Sequence, residues 1–197
     1  MFYFHLAVIF LVVAAITGQL CVAQAERNGH DLRHFNVTLT ALNTTHPNAN
    51  HTGAPLVLGQ NGASTGISFY VTSTYASYPY DDYPTLALVN KTLRAYTTSG
   101  RWITNATDVS SGGTLGWVTT TIYAHPAPEV YSAVKVPAYE HPLLAVHGFH
   151  NLWSLCPFPG TYPQTNIVFN ASDSSILAYD RAACYPVVIT MIPCRNS

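Results

Sequence analysis

The sequence predicts an all-β domain, a compact antiparallel sandwich or barrel of ten or more short strands. Three observations carry that expectation. Apolar residues recur at every second position in many short segments, as in half-buried strands. Turn-forming clusters separate those segments at close intervals. No segment sustains apolar residues at i, i+3, i+4 and i+7 without Gly, Pro or β-branched interruption, so helix is at most a minor component.

The first strand is "HFNVTLTAL", with Phe35, Val37, Leu39 and Ala41 on one face and Asn36, Thr38 and Thr40 on the other. Residues 43–66 carry "NTTHPNANHTGAP" and "GQNGASTG", rich in turn formers, and read as a surface loop or decorated edge. "GISFYVTST" alternates again, placing Ile67, Phe69 and Val71 on one face. Further strands are expected at "PTLALV", "TLRAYTT", "GRWITN", "TLGWVTTTIY", "EVYSAVKV", "PLLAV", "LWSLC", "NIVFNA", "SILAYD" and "YPVVITMI". Turns fall at "VNKT" around Asn90, "TSG" from Thr98 and "SSGG" from Ser110. "PTLALVNKTLRAY" and "PLLAVHGFHNLWSL" echo each other as two hairpins, with His147-Gly148 standing where Asn90-Lys91 stands. A third copy would make a β-trefoil, the alternative architecture; "PLVLGQNG" from Pro55 is the nearest approach.

The chain opens on the apolar run "LAVIFLVVAAI", Leu6 to Ile16, followed by the small-x-small triplet Ala23-Gln24-Ala25. This pattern reads as a secretory signal peptide, residues 1–25, cleaved after Ala25. A single all-β secreted domain, residues 26–197, would follow, placed outside the cell. The C-terminal apolar run ends at Cys194 and Arg195 without the spacer and long tail of a lipid-anchor signal. Charged residues are 9% of the chain, eight basic against nine acidic, which offers no basic patch for nucleic acid or an anionic membrane surface. No nucleic acid, no membrane after signal cleavage and no cofactor is expected.

Six Asn-x-Ser/Thr triplets occur, at Asn36, Asn43, Asn50, Asn90, Asn105 and Asn170. In a secreted chain these are candidate glycosylation sites. Removal of Cys21 with the leader would leave Cys156, Cys184 and Cys194. Two can pair in an oxidising compartment, and one is left over. No two of them show the CxxC spacing of structural zinc sites.

His141, His147 and His150 crowd one segment, yet they match neither the i, i+4 helical nor the i, i+2 strand spacing that converges imidazoles on a metal. No metal site is expected there. There is no G-x-S-x-G elbow and no H-E-x-x-H, and the adjacent Asp81 and Asp82 would point to opposite faces if extended. No catalytic residue is assigned, and a non-catalytic role is favoured. The alternative is a secreted hydrolase or effector whose cleft is assembled from at least two of His125, His147, His150, Asp81 and Asp180. One segment suits a ligand: "YASYPYDDY", with Tyr75, Tyr78, Tyr80, Asp81, Asp82 and Tyr83. Aromatic faces stack on sugar rings and carboxylates accept their hydroxyl hydrogens, so this loop is the candidate ligand surface.

The segments "LALVNKTLRAY", "SGGTLGWVT", "EVYSAV", "PLLAVHGFHNLWSLCP", "NIVFNAS" and "AYDRAACYPVVI" span Pro84 to Ile192. They resemble small secreted proteins of filamentous fungi, similar in outline to cell-wall proteins of the PhiA-like and IgE-binding type. The resemblance implies an all-β secreted glycoprotein of the cell wall or extracellular space, structural or carbohydrate-associated with cell-wall polysaccharide as its partner, and Cys156 and Cys184 as the disulfide pair. Ser132 stands where some relatives are expected to carry cysteine, which leaves Cys194 without an obvious partner, as a free thiol or an intermolecular bridge.

Overall fold

The computed structural model describes residues 36–45, 53–122, 126–172 and 179–194. They form β1 (Asn36–Asn43), β2 (Ala54–Ser64), β3 (Ile67–Thr74), β4 (Thr85–Val89), β5 (Thr92–Tyr96) and β6 (Trp102–Ala106). These are followed by β7 (Gly116–Thr120), β8 (Tyr131–Val134), β9 (Leu143–Val146), β10 (Trp153–Phe158), β11 (Gln164–Phe169), a 3₁₀ turn at Arg181–Ala183, and β12 (Tyr185–Pro193). Among the described residues no helix is long and apolar enough to cross a membrane.

The expected all-β class is realised as a barrel. Strands β1, β4, β5, β6, β7, β3, β11, β10 and β12 close a nine-strand antiparallel ring, with β1 pairing back onto β12. Two strands serve more than one neighbour along the same edge. β1 gives Asn36 and Val37 to β4 and Leu39 to Ala41 to β2, while its other edge runs seven residue pairs along β12. β3 shares its second edge between β7, from Ile67 to Val71, and β11 at Ser73. β2 thereby bridges β1 and β3, and the β8–β9 pair hangs from β12.

Inward residues of these strands fill one core containing Leu39, Trp117, Tyr131, Trp153, Ile167 and Ile189. Burying an indole or phenol requires a partner for its polar atom. Trp117 Nε1 donates to Thr72 Oγ1 at 2.8 Å, Trp153 Nε1 donates to the Leu144 carbonyl at 2.9 Å, and the Tyr131 hydroxyl donates to the Thr107 carbonyl.

Several expectations need correction. The supposed loop over residues 43–66 contains β2, an eleven-residue strand paired along β3. Its turn-forming residues serve the strand. An added Cβ at the buried Gly59 would lie 2.4 Å from both Ser73 Oγ and Gln164 Oε1, and Asn61 is the extra residue of a β-bulge between Gln60 and Gly62. On β3 it is Tyr70 that packs on the core, edge-on to Tyr83 at 5.3 Å, whereas Phe69 is 39% exposed.

The two echoing segments fold differently, which removes the repeat a trefoil needs. "PTLALVNKTLRAY" is the β4–β5 hairpin, with Asn90 (φ 48°) and Lys91 (φ 61°) at its tip, both left-handed as a type I′ turn requires. His147 (φ 52°) and Gly148 (φ 84°) make a similar turn, closed by two hydrogen bonds between Val146 and Phe149. The ladder stops there. β10 pairs with β11 and β12, and β12 separates it from β9. Of "SILAYD", residues up to 178 lie outside the described region, and Asp180 caps the 3₁₀ turn by accepting from Ala182 N.

Cys156 and Cys184 are joined by a disulfide, 28 residues apart. It extends the β10–β12 ladder one step beyond the Leu155–Tyr185 pair. Cys194 is also disulfide-bonded, and no cysteine among the described residues is free. The free thiol or intermolecular bridge expected at Cys194 concerns the chain without its leader; here the chain retains Cys21, which lies outside the described residues with the rest of the leader.

Candidate functional site

The loop between β3 and β4 is pinned before it reaches solvent. Ser77 N and Tyr78 N both donate to the Thr74 carbonyl, and Ser77 Oγ accepts from Thr165 N of β11 at 2.9 Å. With its base fixed, the loop presents Tyr78 and Tyr80 as an edge-to-face pair, ring centroids 5.1 Å apart. The β10–β11 connection carries Tyr162, 87% exposed.

Between them lies a cleft of about 870 Å³, lined by Tyr78, Tyr80, Asp82, Tyr162, Asn61 and Gln164 among others. That size suits a small ligand or a short run of sugar rings. The β2 bulge and Gln164 contribute to the lining. The Gln164 amide is held at both ends: Oε1 accepts from Ser73 Oγ at 2.8 Å and Nε2 donates to the Gln60 carbonyl at 3.0 Å. The same Ser73 hydroxyl lies 2.7 Å from Asn166 Oδ1.

Of the six candidate ligand-surface residues, the cleft gathers Tyr78, Tyr80 and Asp82. Tyr83 is buried in the core cluster, its hydroxyl 3.2 Å from Thr119 Oγ1. Tyr75 is exposed, Asp81 is half-buried, and neither lines the cleft. Burial, followed by the charge of Asp82, raises the pKa of Asp81 and of the Tyr78 hydroxyl. The residues that sequence reasoning missed are Gln60, Asn61, Tyr162 and Gln164, which arrive from two other segments. The only local hint was the turn-rich composition of "GQNG" and "FPGTYP".

A second concavity, an open depression of about 620 Å³, lies beside the His147 turn. His147 Nε2 is 2.9 Å from Asp108 Oδ1, which also accepts from Val109 N at 2.7 Å. Ser110, Ser111, Phe169 and Asn170 share the lining. Of the His/Asp set named for an assembled cleft, only His147 reaches this depression; Asp108 was missed because it lies 39 residues away. Asp180 caps the 3₁₀ turn, His141 Nε2 stands 3.9 Å from Glu140 Oε1, His150 lines neither concavity, and His125 is outside the described residues. Among the described residues no group of three or more His, Cys, Asp or Glu is placed to hold a metal ion.

The sequons fall in different settings. Asn90 and Asn170 are exposed, both with left-handed backbone, and Asn170 Nδ2 donates to Ser111 Oγ at 2.7 Å. Asn105 is half-buried on β6, its side-chain Oδ1 accepting from Trp102 Nε1 at 3.0 Å, with the Arg94 guanidinium 3.8 Å from the Trp102 ring centroid. Asn36 and Asn43 are half-buried on β1, where Asn43 Oδ1 accepts from Thr45 N, and Asn50 lies outside the described residues. Comparison with protein-family models, curated proteins and solved structures gives no match to this chain.

Proposed function

We propose that this chain is an extracellular glycoprotein of the fungal cell wall or its surroundings that binds wall polysaccharide in the Tyr78–Tyr80–Tyr162 cleft. The observation that carries this reading is one cleft lined by exposed Tyr80 and Tyr162, half-buried Tyr78 and the Gln164 amide, which is already hydrogen-bonded. Aromatic faces bury the apolar face of a pyranose, while amide and hydroxyl groups at the rim satisfy its hydroxyls. A Gln164 amide held at both ends needs little reordering on binding, which favours affinity.

The test is retention on insoluble chitin and β-glucan, followed by titration with soluble oligomers. Retention by at least one polymer is expected, with Tyr80→Ala and Tyr162→Ala each weakening binding about tenfold, the order of one stacked aromatic contact. Absence of retention on both polymers would overturn the reading.

A second reading rests on the Asp108–His147 pair beside Ser110 and Ser111. An imidazole oriented by a carboxylate is a general-base arrangement, and an ester hydrolase is the corresponding reaction class. It requires hydrolysis of a chromogenic ester that His147→Ala abolishes.

A further inference from the structure

The cleft has an electrical asymmetry that restricts its ligand further, granted the carbohydrate reading above. Asp82 is exposed and lines it, and no Lys, Arg or His is among the lining residues. The ion pairs among the described residues, His141 with Glu140 and His147 with Asp108, involve neither Asp82 nor Asp81. Burial first, and then the charge of Asp82, raises the pKa of Tyr78 and of Asp81, so both stay neutral more readily. The lining, otherwise uncharged, includes Tyr78, Tyr80 and Tyr162, whose ring faces carry the negative end of the ring quadrupole.

A carboxylate and exposed π-faces select in the same direction. A protonated amine gains a charge-assisted hydrogen bond to the carboxylate and a cation–π contact with a ring. A uronate or phosphorylated sugar would meet like-charge repulsion with no compensating cation from the described lining residues. We propose that the cleft prefers saccharides bearing a protonated amine, oligomers of 2-amino-2-deoxyhexose, over N-acetylated, neutral or anionic chains of the same length.

The test is calorimetric titration of the full chain at pH 6 with four hexasaccharides: glucosamine, N-acetylglucosamine, β-glucose and galacturonate. The glucosamine oligomer is expected to bind most tightly. Asp82→Asn should weaken it about fivefold, the upper range for a solvent-exposed charge pair, and leave the N-acetylated oligomer unchanged. Added salt should weaken the amine-bearing ligand alone, because exposed charges are screened. A melting temperature for Asp82→Asn equal to that of the parent separates lost charge from lost fold. Equal binding of the glucosamine and N-acetylglucosamine oligomers, insensitive to salt and to Asp82→Asn, would overturn the amine preference and leave the carbohydrate reading standing. Binding of none of the four would remove both.

Discussion

Gly59 ties the stability of the barrel to the lining of the cleft, and Gly59→Ala probes that link. The new methyl group would sit 2.4 Å from Gln164 Oε1, 2.4 Å from Ser73 Oγ and 3.1 Å from Ser73 Cβ. Gln164 can swing away, since its amide ends a flexible side chain. Ser73 is fully buried and has less freedom; turning its hydroxyl breaks the 2.8 Å contact to Gln164 and the 2.7 Å contact to Asn166. The hydroxyl has one proton for those two acceptors, so about one hydrogen bond is lost, about 1 kcal/mol net, and a misfitted methyl group in a packed site costs about 1–3 kcal/mol. The expected loss is therefore about 2–4 kcal/mol, or roughly 10 °C in melting temperature for a domain of this size. Chemical denaturation followed by tryptophan fluorescence, with Trp117 and Trp153 buried in the core, measures it. Because the clash involves Ser73, the double variant Gly59→Ala/Ser73→Ala should be more stable than the sum of the single losses by at least about 1 kcal/mol. Saccharide binding should fall in Gly59→Ala through the displaced Gln164. A Gly59→Ala protein within about 0.5 kcal/mol of the parent, or an additive cycle, would refute the packing argument.

Replacing Cys156 and Cys184 by alanine should cost about 3–4 kcal/mol, the chain-entropy value for a closed loop of this length, measured as a shift of the denaturation midpoint. Thiol titration of the uncleaved chain under denaturing, non-reducing conditions should find no free thiol at Cys194, and a stoichiometric thiol there would contradict the bonded state. Burial holds the Tyr131 hydroxyl well above the usual tyrosine range, and burial together with Tyr83 pushes Tyr70 up to about 12. Unfolded tyrosines ionise first, so stability should hold below about pH 10 and fall as pH rises towards these native values; Tyr131→Phe should make that fall shallower at an initial cost of about 1–2 kcal/mol. Lys91 adopts φ 61° at the tip of the β4–β5 turn, so Lys91→Gly should raise stability by about 0.5–1 kcal/mol, and any loss would argue against a type I′ turn.

What the sequence made legible was local. The β4–β5 hairpin reads correctly because its two strands flank a two-residue turn, so pairing and turn chemistry sit in one window. The His147-Gly148 turn was equally visible, but the destination of β10 was not. It depends on β12, more than thirty residues further on, taking the place beside β9. β2 was hidden because its Gly and Asn residues, ordinarily loop signals, accommodate a close contact and a bulge. The cleft follows the same division. Tyr78, Tyr80 and Asp82 lie in one legible stretch, while Asn61, Tyr162 and Gln164 join them only through pairing of β2 with β3 and of β10 with β11.

The seven-pair ladder between β1 and β12 also bears on the order in which the protein can be made. Thr190 Oγ1 bonds to the Thr40 carbonyl across 150 residues, so the edge of β1 waits for a partner until nearly the whole described chain has been synthesised. Loop closure over such a span is slow, and an open strand edge is a template for other chains in the meantime. A molecule of this design exposes its first strand longest and seals it last, so truncation within β12 should yield chains that associate with one another.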